Sequence, residues 1–140
     1  MTGRAEVATP AGTNSPGRYA WCAVAIAADL AAVVVFVVIG RRSHAESDGL
    51  TGLLHTAWPF LVGVLAGWLI ARGWRSPYSI RPTGLVVWLA GVAIGMMLRA
   101  VSGQGVAVSF VVVTIIVLGA LVLGWRAATV LAGRRQGRRP

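Results

Sequence analysis

The apolar stretch at residues 19–40 constrains the fold of this chain most. It is about 22 residues long, the length that an α-helix needs to cross the hydrocarbon core of a bilayer, and its one charged residue is Asp29. The whole chain of 140 residues is 56% hydrophobic and only 12% charged, with a mean hydropathy of +0.74, which is too apolar for a soluble domain of this size. The sequence therefore predicts an integral membrane protein with a carboxylate inside the membrane.

Three more apolar stretches follow, at residues 50–71, 83–101 and 106–125. Polar segments rich in Gly, Pro and Arg separate them, as expected for connecting loops. The predicted fold is all-α, with a single domain of four transmembrane helices at residues 19–126. A disordered tail at residues 1–18 precedes it, and a basic tail at residues 127–140 follows it.

The second stretch is compatible with two structures, because Pro59 lies inside it. Either a full-length helix begins near Leu50 and kinks at Pro59, or an interfacial turn precedes a helix that is capped by Thr56 and has Pro59 in its first turn. The first structure is favoured, since residues 56–71 alone are short for a crossing.

The distribution of arginine predicts the orientation. Four crossings put both termini on one side, and ten of the 13 basic residues, all arginines, fall on that side. The positive-inside rule places this side in the cytoplasm, so we expect a multi-pass protein of the bacterial inner membrane with cytoplasmic termini. Nucleic acid is a poor alternative partner, because the arginines lie in short segments between apolar stretches. The arginines expected to contact anionic lipid headgroups are Arg134, Arg135, Arg138 and Arg139.

Small residues recur at steps of four in three of the stretches, and such faces allow membrane helices to pack closely. They are Gly63 and Gly67, Gly91 and Gly95, and Ala23, Ala27 and Ala31. Packing within one chain is the favoured interpretation, and a homo-oligomer interface is the alternative.

Asp29 needs a partner, because a charged carboxylate near the bilayer centre costs at least about 2.5 kcal/mol. Arg99 extends the series Gly91 and Gly95 by one step of four, so it should point toward the bundle. An ion pair between Asp29 and Arg99 is the resulting hypothesis, although their depths differ by about 9 Å at the helical rise. Without a cationic partner, Asp29 would instead be a proton-binding site.

A second group of polar side chains lies in the loop after the first stretch and at the start of the second, and it includes Arg41, Arg42, His44 and His55. Their spacing fits no known metal-ligand signature, and the single cysteine, Cys22, cannot form a disulfide or a cysteine cluster within one chain. The sequence also contains no recognisable nucleophilic triad and no phosphate-binding glycine loop. We therefore expect no metal, no cofactor and no enzymatic activity.

Several short segments together resemble one family of membrane proteins. They are Asp29, GRRSH at 40–44, TAWPFL at 56–61, GW at 67–68, GMMLR at 95–99, Phe110 and GWR at 124–126. This combination resembles the bacterial and archaeal membrane proteins grouped as domain of unknown function 3054. The resemblance implies a four-helix integral membrane fold, and it draws attention to Asp29, Arg41, His44 and Arg99. It supplies no activity.

Two functions remain open at this point. The favoured one is a small structural or accessory component of the membrane, with a polar core around Asp29 and glycine packing faces between its helices. Its partners would be the lipid bilayer and either further copies of itself or another membrane protein. The alternative is a small proton-coupled transporter that works as an oligomer, with Asp29 as the proton site and Arg99 or His44 near the outer vestibule.

Overall fold

The computed structural model describes residues 16–43 and 49–136, and these ranges are helical without any strand. The four long helices are α1 (Pro16–Ser43), α2 (Gly49–Ile70), α3 (Leu85–Val101) and α4 (Val108–Gln136). Each is long and apolar enough to cross a membrane, α3 together with the turn before it. The predicted all-α fold with four helices of membrane-spanning length and hydropathy is confirmed for this part of the chain. Most of the predicted N-terminal tail, residues 1–15, lies outside it.

α2 agrees with the favoured alternative of a full-length helix, whereas α4 extends beyond its predicted end. α2 is continuous through Pro59, and Thr56 does not cap a helix, because its hydroxyl donates a hydrogen bond to the carbonyl of Gly52 at 2.9 Å. α4 does not end at Trp125 but continues to Gln136, since residues 126–136 are rich in good helix formers and contain no proline. The first part of the predicted basic tail, residues 127–136, is therefore helical.

The helices form a closed ring, in which each one packs against its neighbours in sequence and α4 packs against α1. Because successive helices alternate in direction, the start of α1, the end of α4 and the turn between α2 and α3 lie at one end of the bundle, here named the terminal end. Two hydrogen bonds join α1 to this turn. The Cys22 thiol donates to the carbonyl of Trp74 at 3.6 Å, and the Tyr78 hydroxyl donates to the carbonyl of Trp21 at 3.4 Å.

The closest backbone approach is between α2 and α3. A Cβ atom placed on Gly63 would lie 3.0 Å from the Cα of Gly91, and one placed on Gly67 would lie 2.7 Å from the Cα of Val87. Gly95, in the same row as Gly91, faces the ring of Phe60. The glycines singled out in α2 and α3 thus lie between these two helices within one chain.

The alanine face of α1 has a different environment. Ala23, Ala27 and Ala31 are all exposed in the structure. The buried face of α1 contains Ala25 and Val33 instead, with Asp29 between them at steps of four. The alanines therefore point away from the bundle, and they do not form a packing face between helices of one chain.

Candidate functional site

Asp29 is the one acidic residue in the described part of the chain, and its side chain is fully buried. It lies 7 residues beyond Cys22, which is hydrogen-bonded to the α2–α3 turn. At the helical rise this places the carboxylate about 10 Å inside the bundle from the terminal end. Asp29 is thus a buried charge in the half of the bundle nearer to the termini.

Four N–H groups donate hydrogen bonds to the Asp29 carboxylate. Oδ1 accepts from Trp125 Nε1 at 2.8 Å and from Arg126 Nη1 at 2.7 Å. Oδ2 accepts from Trp68 Nε1 at 2.8 Å and from Arg126 Nη2 at 2.6 Å. The arginine therefore binds both oxygens in a parallel fork, the strongest geometry for a guanidinium and a carboxylate. Each oxygen has two donors, so its hydrogen-bonding capacity is largely filled.

Arg126 is as buried as its partner. Its Nη1 also donates to the carbonyl of Val122 at 2.9 Å, and its Cζ lies 4.5 Å from the ring centre of Trp125. Its Nε is buried and has no hydrogen-bond partner among the described residues. A delocalised guanidinium is weakly hydrated, which makes arginine better suited than lysine to a site of this kind.

The α2–α3 turn closes the site on the side of the terminal end. The backbone of Gly73 lies against the ring of Trp68, and a Cβ atom on Gly84 would lie only 3.0 Å from the Cδ of Arg126. The hydroxyls of Ser76 and Thr83 are 3.1 Å apart and join the two halves of the turn. Two glycines thus allow the backbone to pack directly on the side chains that hold Asp29.

The hypothesis that Asp29 pairs with Arg99 is wrong, because the partner is Arg126. Arg99 lies in the last turn of α3, at the opposite end of the bundle, where it binds the α3–α4 turn. Its Nη1 donates to Gln104 Oε1 at 2.9 Å and its Nη2 to the carbonyl of Gln104 at 3.1 Å. Its Nε donates to the carbonyl of Gly105 at 3.3 Å, and its Cζ lies 4.4 Å from the ring centre of Phe110. The physical reason is depth, because Arg99 lies at the opposite end of the bundle and Asp29 lies in the half nearer to the termini.

This environment predicts a modest, local role for Arg99. We expect Arg99→Gln to lower the free energy of unfolding by about 1 kcal/mol, because the lost hydrogen bonds lie in a partly solvated turn. Denaturant unfolding in detergent measures this loss. Arg42→Gln, which removes an exposed charge at the same end of the bundle, is the control and should be near neutral. A loss above about 3 kcal/mol, the size expected for a broken buried ion pair, would contradict a role confined to the turn.

The remaining polar residues at the opposite end do not form a metal site in the described part of the chain, where no three His, Cys, Asp or Glu side chains come together. Arg41 is partly buried and donates to the Thr56 hydroxyl at 3.4 Å, while Arg42 and His55 are exposed. His44 lies outside the described residues. Arg134 and Arg135 are exposed near the end of α4, and Arg138 and Arg139 also lie outside the described residues.

Sequence reasoning missed all three partners of Asp29. Trp68 and Trp125 lie in apolar stretches, and Arg126 directly follows the last stretch, where the positive-inside rule already accounts for a basic residue. On α4, Arg126 continues a row at steps of four with Thr114, Leu118 and Val122, and the structure buries all four, but the sequence alone does not show that this row faces the bundle. The partners also lie in the GW and GWR segments that carry the family resemblance.

The fold and the site together define a class of protein. It is a four-helix bundle of membrane-spanning length with one fully buried ion pair, whose carboxylate accepts four hydrogen bonds. The chain belongs to the family described as protein of unknown function, DUF3054, whose model matches residues 26–129. That range contains Asp29, its three partners and the turn that covers them. No curated protein and no solved structure matches the chain.

Proposed function

We propose that this chain is a non-enzymatic structural or accessory component of the bacterial inner membrane, with a bundle geometry fixed by the Asp29–Arg126 pair. The observation that supports this role is the environment of the Asp29 carboxylate, which is fully buried and accepts four hydrogen bonds at 2.6–2.8 Å. A catalytic acid or base must reach a substrate with a free lone pair or proton. Asp29 has neither access to solvent nor a free site.

The charge distribution supports the proposed orientation. Exposed arginines are concentrated at the terminal end among the described residues, and they are Arg18, Arg72, Arg75, Arg81, Arg134 and Arg135. Lys and Arg enrichment marks the cytoplasmic side of bacterial membrane proteins. Placing the terminal end in the cytoplasm also places the ion pair in the inner half of the bilayer. Cysteines introduced at positions 42 and 135 test this orientation. A membrane-impermeant thiol reagent added to intact cells should label position 42 and leave position 135 unlabelled.

A proton-coupled transporter would require Asp29 to release and rebind a proton in each cycle. For that, at least one N–H donor would have to withdraw from the carboxylate, and once Asp29 was protonated the charge of Arg126 would be buried without a counter-ion. The environment of Asp29 therefore supports a structural role over a proton-carrying one.

Proteoliposomes with an internal pH dye separate the two functions. We expect wild-type protein and the double variant Asp29→Asn/Arg126→Gln to give the same proton flux under an imposed membrane potential. Proton flux that is present with wild-type protein and absent with the double variant would overturn the structural proposal. Circular dichroism of the reconstituted double variant verifies that it is folded.

The accessory part of the proposal predicts a membrane-protein partner. Extraction of the tagged full chain in mild detergent should yield a second membrane protein at a constant ratio. Recovery of this chain alone, together with solute flux from it in liposomes, would contradict the accessory role.

A further inference from the structure

The turn between α2 and α3 carries three exposed arginines, Arg72, Arg75 and Arg81, here named the basic turn. Within the described residues, none of their guanidinium groups forms a hydrogen bond or an ion pair. Arg72 and Arg75 belong to one tight turn, since the amide of Arg75 donates to the carbonyl of Arg72 at 2.9 Å. The contact between Ser76 and Thr83 brings the second half of the turn, with Arg81, back toward the first. The basic turn thus presents three cations that the described chain does not neutralise.

The backbone of Arg72 is unusual. Its φ of 50° and ψ of 49° place it in the left-handed region, at the position just after α2 where glycine is the common residue. A side chain in this region is energetically unfavourable, because its Cβ crowds the following carbonyl. The neighbouring Gly73 has a different role, because its lack of a side chain lets the backbone pack against the Trp68 ring. An arginine at such a strained backbone position indicates a use for its side chain.

The surroundings of the basic turn indicate what that use is. The described residues contain one acid, Asp29, which Arg126 already neutralises. No described acidic side chain is therefore left to pair with the basic turn. Trp74, within the turn, is 50% exposed, and Trp21, on the adjacent end of α1, is 62% exposed. Exposed tryptophans at the end of a membrane-spanning bundle are typical of the headgroup layer.

We propose that the basic turn binds the phosphate group of an anionic phospholipid in the leaflet at the terminal end. Arginine recognises phosphate with two parallel N–H donors, and three guanidinium groups on one short turn supply more donors than one phosphate needs. The acyl chains would lie along the exposed apolar faces of the helices, and Trp74 would lie beside the headgroup. This site is distinct from the C-terminal arginines that the sequence indicated, and it does not depend on the structural or accessory role proposed above.

The variant Arg72→Gly tests this site, because it should weaken lipid binding while it stabilises the fold by relieving backbone strain. The full-length protein in detergent is titrated with phosphatidylglycerol, and binding is followed by native mass spectrometry. Loss of one arginine near a charged surface should weaken binding about fivefold. In phosphatidylcholine alone, the same variant should unfold at a higher temperature than wild type, because glycine relieves the strain at φ 50°.

Matched variants make the outcome decisive. Arg72→Gln should weaken phosphatidylglycerol binding as much as Arg72→Gly does, without the gain in unfolding temperature. Arg42→Gln removes the same charge at the opposite end and should leave binding unchanged. Equal phosphatidylglycerol affinity for Arg72→Gly and Arg42→Gln would overturn the proposal. Displacement of the lipid by equimolar inorganic phosphate would also overturn it, because the ligand would then be a soluble anion.

Discussion

Replacing Arg126 with glutamine is expected to destabilise the bundle by about 3–5 kcal/mol, the usual result of removing one member of a buried ion pair. The variant leaves the Asp29 carboxylate fully buried with only the two indole donors, Trp68 and Trp125. Asp29→Asn strands the guanidinium of Arg126 in the same way, so a loss of similar size is expected. Equilibrium unfolding in mixed micelles measures both, with tryptophan fluorescence as the signal because two tryptophans bind Asp29 directly.

The control for this prediction is Arg42→Gln, which removes an exposed arginine outside the ion pair and should have an effect below about 0.5 kcal/mol. A variant Arg126→Gln that is as stable as this control would mean that the buried pair contributes little to holding the helices. A variant Asp29→Asn that is more stable than wild type would mean that the acid is retained against stability, which would favour the transporter.

Adding one methyl group at Gly67 is expected to cost about 1–3 kcal/mol, the usual range for overpacking a tight interior. The new Cβ atom would lie 2.7 Å from the Cα of Val87 and 3.1 Å from the Cβ of Ala90. Backbone atoms cannot rotate away as a flexible side chain can, so α2 and α3 must separate. The unfolding measurement used for Arg126 applies here too.

Gly124→Ala is the matched control for Gly67→Ala. Gly124 also lies inside a long helix, but nothing approaches its Cβ position within 4 Å. This variant should be neutral or more stable by up to about 1 kcal/mol, because alanine is the better helix former. Equal effects of the two substitutions would show that the close approach of α2 and α3 does not contribute to stability.

Much of the fold could be predicted from the sequence, because the signal for each membrane-spanning helix is local. A run of about 20 apolar residues has few alternatives to a helix in a bilayer. Asp29 was recognisable as a site residue for the same reason, since a single acid in such a run must be satisfied. Its partner was not recognisable, because Arg126 is 97 residues away in sequence and lies where the positive-inside rule already accounts for an arginine.

The direction of the small-residue faces shows a second limit of the sequence. Steps of four identify a face of a helix, but they do not say whether that face points into the bundle. Gly63 and Gly67 face α3, whereas Ala27 and Ala31 are exposed. Asp29 supplies the missing reference on α1, since each of these alanines lies two residues from it, about 200° around the helix. If the buried acid defines the inner face, the alanines must lie on the outer one.

The central claim is that Asp29 and Arg126 act as one structural unit, and a double-mutant cycle tests it most directly. The free energies of unfolding of wild type, Asp29→Asn, Arg126→Gln and the double variant are measured in the same micelles. The double variant carries no buried charge, so it should lose clearly less than the sum of the single losses, with a coupling of about 1–3 kcal/mol. Strictly additive losses would contradict the claim, because they would mean that the two side chains stabilise the bundle independently.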